Sequence, residues 1–354
     1  MTTGQVVSTR PRPFVSVIVP CRNEARYIAR CLDTILATDY PHDRLEVLVA
    51  DGRSDDGTRE IVSEYAARRP VVRLLDNPKR IVPTGLNIAI VASRGDLIIR
   101  LDAHVEYTTT YISQLVDALE RTGADSVGGR IVTLPANQSA TARAIALALS
   151  HRFGVGNAYF RVGTPEPRWV DTAGFTIYRR EVFDRIGMFD EEMVRNQDGE
   201  LNFRLIKNGG RILLLPDAVA YYYARSSLRQ LARMMYQYGY FKALTAKKVG
   251  RIMTARQLAP AAFVGSLAGS ALLSLWSPVG AAVGASIAGV YVAVAIGSAA
   301  AVVPREGLRG AVTLAIAFLL MHVTYGVGYL QSIAANWLAL GRSTRDVAAM
   351  PLSR

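Results

Sequence analysis

From Leu258 to Val303 the chain carries no charged side chain, and from Gly310 to Leu340 it carries none again. A helix needs about 20 apolar residues to cross roughly 30 Å of hydrocarbon. The spacing predicts three spans, 258–276, 279–303 and 310–340. A soluble core is a poor home for stretches of this length. Their Gly, Ala and Ser content suits close helix packing in lipid. Trp276 and Trp337 stand near span ends, where aromatic side chains anchor to a membrane interface. His322, Gln331 and Asn336 are the strongly polar interruptions. His322 reads as a helix–helix hydrogen-bonding group in preference to a functional site.

The rest of the chain has a different pattern. Phe14–Pro20, Leu45–Ala50, Val71–Leu75 and Asp96–Leu101 are short β-branched or aliphatic runs. Segments with helical spacing separate them. Strands alternating with helices predict a doubly wound, Rossmann-like α/β domain over 14–225 with a mainly parallel sheet. Ser113–Arg121 reads as a helix and Ala124–Thr133 as a strand. Asn137–Phe153 reads as an amphipathic helix able to lie against a membrane, and Gly154–Arg168 as a mobile loop. Val170–Tyr178 and Arg211–Leu215 read as strands, and Glu200–Lys207 as a helix. Residues 1–13 are polar, with no apolar core for a signal peptide, and are expected to be a flexible N-terminus. Cys21 and Cys31 are the only cysteines, spaced unlike a metal knuckle. They read as structural thiols of a reduced, cytoplasmic domain.

The net charge of +12 is uneven. Residues 226–257 carry seven Lys and Arg and no acid. This segment reads as a basic amphipathic helix at the membrane surface, with anionic lipid headgroups as partner instead of nucleic acid. An ordinary solvated helix fits the same residues. With the α/β domain in the cytoplasm, three spans leave Arg305 and Arg309 inside, as positively charged loops prefer, but Arg342, Arg345 and Arg354 outside. The side of the 341–354 tail stays open.

The chemistry concentrates where strands end. Asp51 follows the second strand, and Asp55-Asp-Gly-Thr58 comes soon after. Leu97-Ile-Ile-Arg-Leu-Asp-Ala-His104 ends in Asp102 and His104, one residue apart. In an open α/β sheet, ligands bind at the carboxyl ends of strands. Asp and His there form a divalent-metal pair able to grip a diphosphate. A loop aspartate beside a solvated histidine is the alternative. Gln197-Asp198 opens a later helix, and Gln230-Leu-Ala-Arg-Met234 precedes the membrane.

Taken in this order, the motifs resemble the inverting family 2 glycosyltransferases of GT-A fold over roughly 14–245. The stretches that carry the resemblance are Val15–Glu24, Val49–Thr58, Leu101–His104, Ala173–Phe183 and Asn196–Leu205. The Asp-Ala-His motif and short membrane tail are similar to those of the succinoglycan-type exopolysaccharide glucosyltransferases. The resemblance implies roles for individual residues. Pro20, Arg22 and Glu24 would border the nucleotide, Asp51 would meet the uracil edge, and Arg80 would approach the diphosphate. Asp102 and His104 would hold Mn²⁺ or Mg²⁺. Histidine replaces the family's second aspartate and favours Mn²⁺ somewhat. Asp198 would be the general base, with Gln197 replacing the usual Glu; a simple helix-capping role is its alternative. Gln230 and Arg233 would meet the acceptor or a diphosphate. Met234 stands where processive synthases have Trp, which argues against a chain-extruding enzyme.

These implications describe a multi-pass protein of the cell membrane with a cytoplasmic catalytic domain. It would transfer a sugar from a nucleotide donor, UDP-linked by expectation, to a lipid-linked saccharide. A polyprenyl-phosphate sugar synthase and an inactive membrane scaffold are the alternatives.

Overall fold

The computed structural model describes residues 11–252 and 254–337. The chain divides into two compact units. One holds the residues up to Val127 together with Phe175–Met188; the other holds Gly128–Gly174 and everything from Phe189 onward.

The first unit contains β1 (Val15–Cys21), α1 (Ile28–Leu36), β2 (Leu45–Asp51), α2 (Thr58–Arg68), β3 (Val72–Asp76), α3 (Val82–Ala92), β4 (Leu97–Arg100), β5 (Val105–Tyr107) and α4 (Tyr111–Thr122). β6 (Ser126–Leu134) carries the chain into the second unit, where α5 (Ala140–Ala148), α6 (Arg152–Val155), α7 (Tyr159–Val162) and β7 (Arg168–Val170) follow. β8 (Gly174–Arg179) and α8 (Arg180–Ile186) return it to the first. The second unit is completed by α9 (Gln197–Lys207), β9 (Ile212–Tyr223), α10 (Leu228–Val249), α11 (Ala259–Leu273), α12 (Pro278–Ala300) and α13 (Val303–Trp337).

In the first unit the strand order is β3-β2-β1-β4-β8. The first four strands run parallel and β8 is antiparallel to β4. Every residue of β1, β2 and β4 is buried, because helices cover both faces of a parallel sheet and leave no polar side. Register decides what meets at the sheet's carboxyl edge. Val15 pairs with Leu45 and with Leu97, so Cys21 lies opposite Asp51, and Asp51 opposite Asp76. The loops after β1, β2 and β4 therefore leave the sheet side by side.

In the second unit β6 and β7 both neighbour β9, β7 antiparallel with Val170 opposite Ile212. The organising element is α13. Its Leu314, Ala317 and Phe318 are fully buried, while Leu308, Val312, Ile316 and Leu319 are exposed along another face. α10 crosses α13 with the backbones in contact. A Cβ on Gly239 would overlap the Tyr325 carbonyl oxygen, and one on Gly328 the Tyr236 carbonyl oxygen. Tyr236 donates to Gln331 Oε1 at 2.6 Å beside this crossing. His322 meets the Tyr291 hydroxyl at 2.9 Å, a bond between α13 and α12.

The second unit differs from the sequence expectation in four respects. α10 is no surface helix: Leu231, Met234, Met235, Tyr240, Phe241 and Leu244 are buried among the residues that line its packed faces. Several of the segment's cations serve the protein in place of lipid. Lys248 reaches Asp190 at 2.6 Å and Glu192 at 2.5 Å, and Arg256 reaches Asp171 at 2.6 Å. The expected span 258–276 is a helix of 15 residues, about 22 Å long at 1.5 Å per residue and too short to cross alone. It stops because Ser277 caps the next helix, accepting from the Val279 N–H, with Pro278 in its first turn. Among the described residues two helices are long and apolar enough to cross, Pro278–Ala300 and Val303–Asn336. The second is broken at Gly307 (φ 69°). Finally, 137–168 is no single helix and loop. α5, α6 and α7 divide it, and Arg256 holds Asn157 through the latter's carbonyl and side-chain oxygens.

Apolar side chains project outward from α12, with Val290 67% and Ile296 58% exposed. Trp276 is exposed between α11 and α12. The N-terminus up to residue 10, residues 338–340 of the expected third span, the 341–354 tail and the Trp337 side chain lie outside the description.

Candidate active site

The carboxyl edge of the first unit gathers seven of the residues that the sequence singled out: Pro20, Arg22, Glu24, Asp51, Arg80, Asp102 and His104. Asp51 ends β2 and is fully buried. Its oxygens accept from the Ser54 N–H (3.1 Å), the Ser54 hydroxyl (2.5 Å) and the Arg59 guanidinium (3.1 Å). Arg59 also reaches Asp76 at 3.3 Å, and Arg53 reaches Asp76 at 3.2 Å. The Arg53 hydrogen bond, with Arg59 behind it, holds the Asp76 carboxyl below the usual carboxylate range. Arg53, Arg59 and Asp76 are not among the residues to which the sequence assigns a role.

The loop after β1 is stitched to the loop after β2. The Asn23 N–H donates to the Ser54 hydroxyl, the Glu24 N–H to the Thr58 hydroxyl, and the Ala25 N–H to Asp56. Arg22 is exposed and lies over Gly52. Burial pushes the Asp56 carboxyl up, but hydrogen bonds from Thr58 and Ala25 outweigh it and leave the group below its ordinary value. Asn77, also not singled out from the sequence, fixes the Arg80 turn. Its own N–H donates to the Asp51 carbonyl, its carbonyl accepts from the Arg80 N–H, and its side chain bonds Ile81 and Thr84. Arg80 is exposed, with φ 60°.

Arg100 donates to Asp102 Oδ1 at 2.8 Å. His104 Nδ1 lies 3.3 Å from Glu24 Oε1, both side chains largely buried. An Nδ1–H turned to that carboxylate would leave the Nε2 lone pair available to a metal, the arrangement that tightens imidazole ligation. Among the described residues, no group of three or more His, Cys, Asp and Glu could hold a metal ion. A divalent ion at Asp102 and His104 would have to complete its shell with substrate phosphate oxygens and water, as Mg²⁺ and Mn²⁺ sites on nucleotides do. Cys31 sits behind this turn, its thiol 3.4 Å from the Asp102 carbonyl oxygen. Cys21 and Cys31 are both free and buried, and burial raises both thiols far above the ordinary value.

In the second unit, α9 begins at Gln197 with Asn196 as its N-cap residue. The helix opens at the Gln197-Asp198 pair, as the sequence indicates, so Asp198 lies inside its first turn and accepts from the Gly199 N–H at 2.8 Å. Asp198 is half-buried and Gln197 buried. On α10, Gln230 accepts from the hydroxyls of Ser226 and Ser227 at the helix start. Arg233 is half-buried one turn on, and Met234 is buried.

Five non-glycine residues described have positive φ: Asn23, Arg53, Arg80, Phe175 and Asn196. Four of them stand in or beside the motifs above. Strained backbone gathers where function holds it.

Residues 16–187 match the model of Glycosyl transferase family 2. The chain is 32% identical over 321 residues to the succinoglycan biosynthesis protein ExoA of Rhizobium meliloti, covering 90% of this chain and 94% of that protein. The chain belongs to glycosyl transferase family 2. A second relative is a Methanococcus voltae enzyme named as a dolichyl N-acetyl-α-D-glucosaminyl phosphate 3-β-D-2,3-diacetamido-2,3-dideoxy-β-D-glucuronosyltransferase. It is 27% identical over 243 residues, covering 66% of this chain and 74% of the relative. Among solved structures, the mannosyltransferase PcManGT of Pyrobaculum calidifontis, in complex with GDP-Man and Mn²⁺, superposes with a TM-score of 0.56 at 21% identity. The match covers 92% of this chain and 88% of that one. The fold of this family 2 glycosyltransferase is thus GT-A, with apolar C-terminal helices.

Proposed function

We propose that this glycosyltransferase is a membrane-bound, metal-dependent, inverting enzyme. It moves a sugar from a nucleotide donor, UDP-linked in our reading, to a lipid-linked saccharide. The single observation that supports the donor half is the placement of Asp102 and His104 just beyond β4, with Glu24 3.3 Å from the histidine and Arg100 2.8 Å from the aspartate. Pro20, Arg22, Glu24 and Asp51 border the nucleoside, and Arg80 meets the diphosphate. A base edge reaching Asp51 shares its carboxylate with Ser54 and Arg59. A divalent ion on Asp102 and His104 would neutralise charge on the departing nucleoside diphosphate.

Asp198 acts as general base. It takes the proton of the acceptor hydroxyl as that oxygen bonds to the anomeric carbon, while the bond from that carbon to the phosphate oxygen breaks. Attack opposite the leaving group inverts the configuration. Gln197, Gln230 and Arg233 line the acceptor or a diphosphate. The outward apolar faces of α12 and α13 support a lipid-linked acceptor, because a membrane-held enzyme meets such an acceptor at high local concentration. The dolichyl-linked activity in the Methanococcus relative's name supports the same class and keeps a second reading in play, transfer to a polyprenyl phosphate itself.

The test is a panel of nucleotide sugars given, with Mn²⁺ and a lipid extract, to membranes containing the protein. Wild type is compared with Asp198→Asn. Release of nucleoside diphosphate from one donor, abolished in the variant, supports the proposal. A sugar–sugar glycosidic bond in the product favours the first reading and a sugar phosphodiester the second. Equal activity in wild type and Asp198→Asn sinks the assignment of the base.

A further inference from the structure

Asp198 does not stand alone in the second unit. The residue two before it, Asn196, is clasped by α10. Lys242 Nζ donates to Asn196 Oδ1 at 2.7 Å, and Asn196 Nδ2 donates to the Thr245 hydroxyl at 2.7 Å. Lys242 and Thr245 are one helical turn apart, so they present both groups on the same face. The clasp holds Asn196 at φ 60°, a left-handed conformation that few side chains other than Asn tolerate. That backbone sets the direction in which α9 starts, and hence where Asp198 points.

Lys242 is also built into the turn electrostatically. Its ammonium sits 4.9 Å from the ring centre of Phe203, on α9 itself. The charged groups that act on it are Asp198 from α9, Arg256 from the short 3₁₀ turn before α11, and Asp171 just after β7, with Asp198 the strongest of the three. Asp171 is already held by Arg256 at 2.6 Å. The Asp198 carboxylate thus favours the charged form of Lys242 more than Asp171 does. Gly199 leaves room for this approach. A Cβ there would lie 2.9 Å from Lys242 Nζ and 2.5 Å from Asn196 Oδ1.

We infer that Lys242 is a positioning residue for Asp198: through Asn196 it fixes the turn that carries the carboxylate, and its positive charge holds that carboxylate in its place. The inference rests on the reading of Asp198 as base. It assigns a role in the reaction to a lysine on a helix whose excess charge otherwise suggests lipid binding. Burial pushes the Lys242 amine down to about 8, so its charge is lost within a range that kinetics can reach.

The experiment uses the full-length protein in membranes. Rates of nucleoside diphosphate release are measured from about pH 6 to about pH 10. The variants are Lys242→Met, Lys242→Arg, Gly199→Ala and Asp198→Asn. Wild type should lose activity on the alkaline side with a midpoint near about 8. In Lys242→Arg, whose guanidinium keeps its proton throughout, that limb should move to higher pH. Lys242→Met should lower kcat about tenfold or more with donor KM nearly unchanged, and should lack the limb. Gly199→Ala, which pushes the ammonium away, should resemble Lys242→Met. A Lys242→Met enzyme with the wild-type kcat and alkaline limb overturns the inference. So does a folded Lys242→Arg enzyme whose limb has not moved. If Asp198→Asn is inactive and Lys242→Met behaves as wild type, only the role of Lys242 fails. If Asp198→Asn is active, the assignment of the base fails first.

Discussion

His104 Nδ1 and Glu24 Oε1 lie 3.3 Å apart, although eighty positions of sequence separate them. The parallel pairing of β1 with β4 brings the two loops together. In the proposed function His104 holds a divalent ion, and Glu24 would then orient its imidazole, a role distinct from bordering the nucleotide. Replacing it with Gln or Ala should weaken Mn²⁺ binding by about 10- to 100-fold, the usual effect of losing such a partner. Manganese paramagnetic resonance, with nucleoside diphosphate present, measures this without turnover. An unchanged dissociation constant would show that Glu24 serves the nucleotide or the loop alone.

Asp198→Asn should leave donor binding intact and lower turnover by about 10²- to 10⁴-fold, the range for a lost general base. Calorimetry of nucleotide binding beside single-turnover rates separates the two quantities. Weaker donor binding with unchanged turnover would place Asp198 at the donor.

Burial lowers the Lys242 amine from 10.5 to about 8 in the folded protein. Between these values the unfolded chain binds the proton that the folded chain has released, so unfolding free energy rises with pH across this window. Below about 8 both states are protonated, and folding carries the full cost of the buried charge, on the order of 1–3 kcal/mol. Lys242→Met should remove that rise. Thermal unfolding followed by tryptophan fluorescence at several pH values gives the slope, and an equal slope in wild type and variant would refute the linkage.

Gly239 and Gly328 let the backbones of α10 and α13 touch. A Cβ at Gly239 meets a carbonyl group that cannot swing aside as a flexible side chain can. Gly239→Ala should cost about 1–3 kcal/mol, as overpacking does, and should loosen the residues of α10 that face α9. Limited proteolysis of membranes and the unfolding midpoint both report this. Gly269→Ala, where no atom stands within 4 Å, is the control and should change little.

The α/β fold, the residues at its strand ends and the apolar character of the C-terminal region were all legible in the sequence. Each depends on a local pattern: a β-branched run buried on both faces, a turn motif after it, an uncharged stretch longer than a soluble helix needs. Strand ends could be read because parallel strands bring their carboxyl ends to one edge whatever the details of packing. The boundaries between apolar helices were less legible. Composition is continuous across 258–303, and the Ser277-Pro278 cap that divides it is a two-residue signal.

What only the tertiary structure decided are the pairings across sequence. Glu24 beside His104 requires the register of β1 on β4. Arg59 on Asp51 requires α2 to pack back over the strand that precedes it. Lys242 at Asn196 requires α10 to be buried between α9 and α13, whereas its basic pattern predicts a helix lying on lipid. The physical reason is the same in each case. A charge pattern records which groups must be stabilised, but an acid on the neighbouring element satisfies a lysine as well as a headgroup does. The sequence by itself determined the family of folds and which residues stand at the strand ends. The contacts between distant elements determined which partner each charged group met.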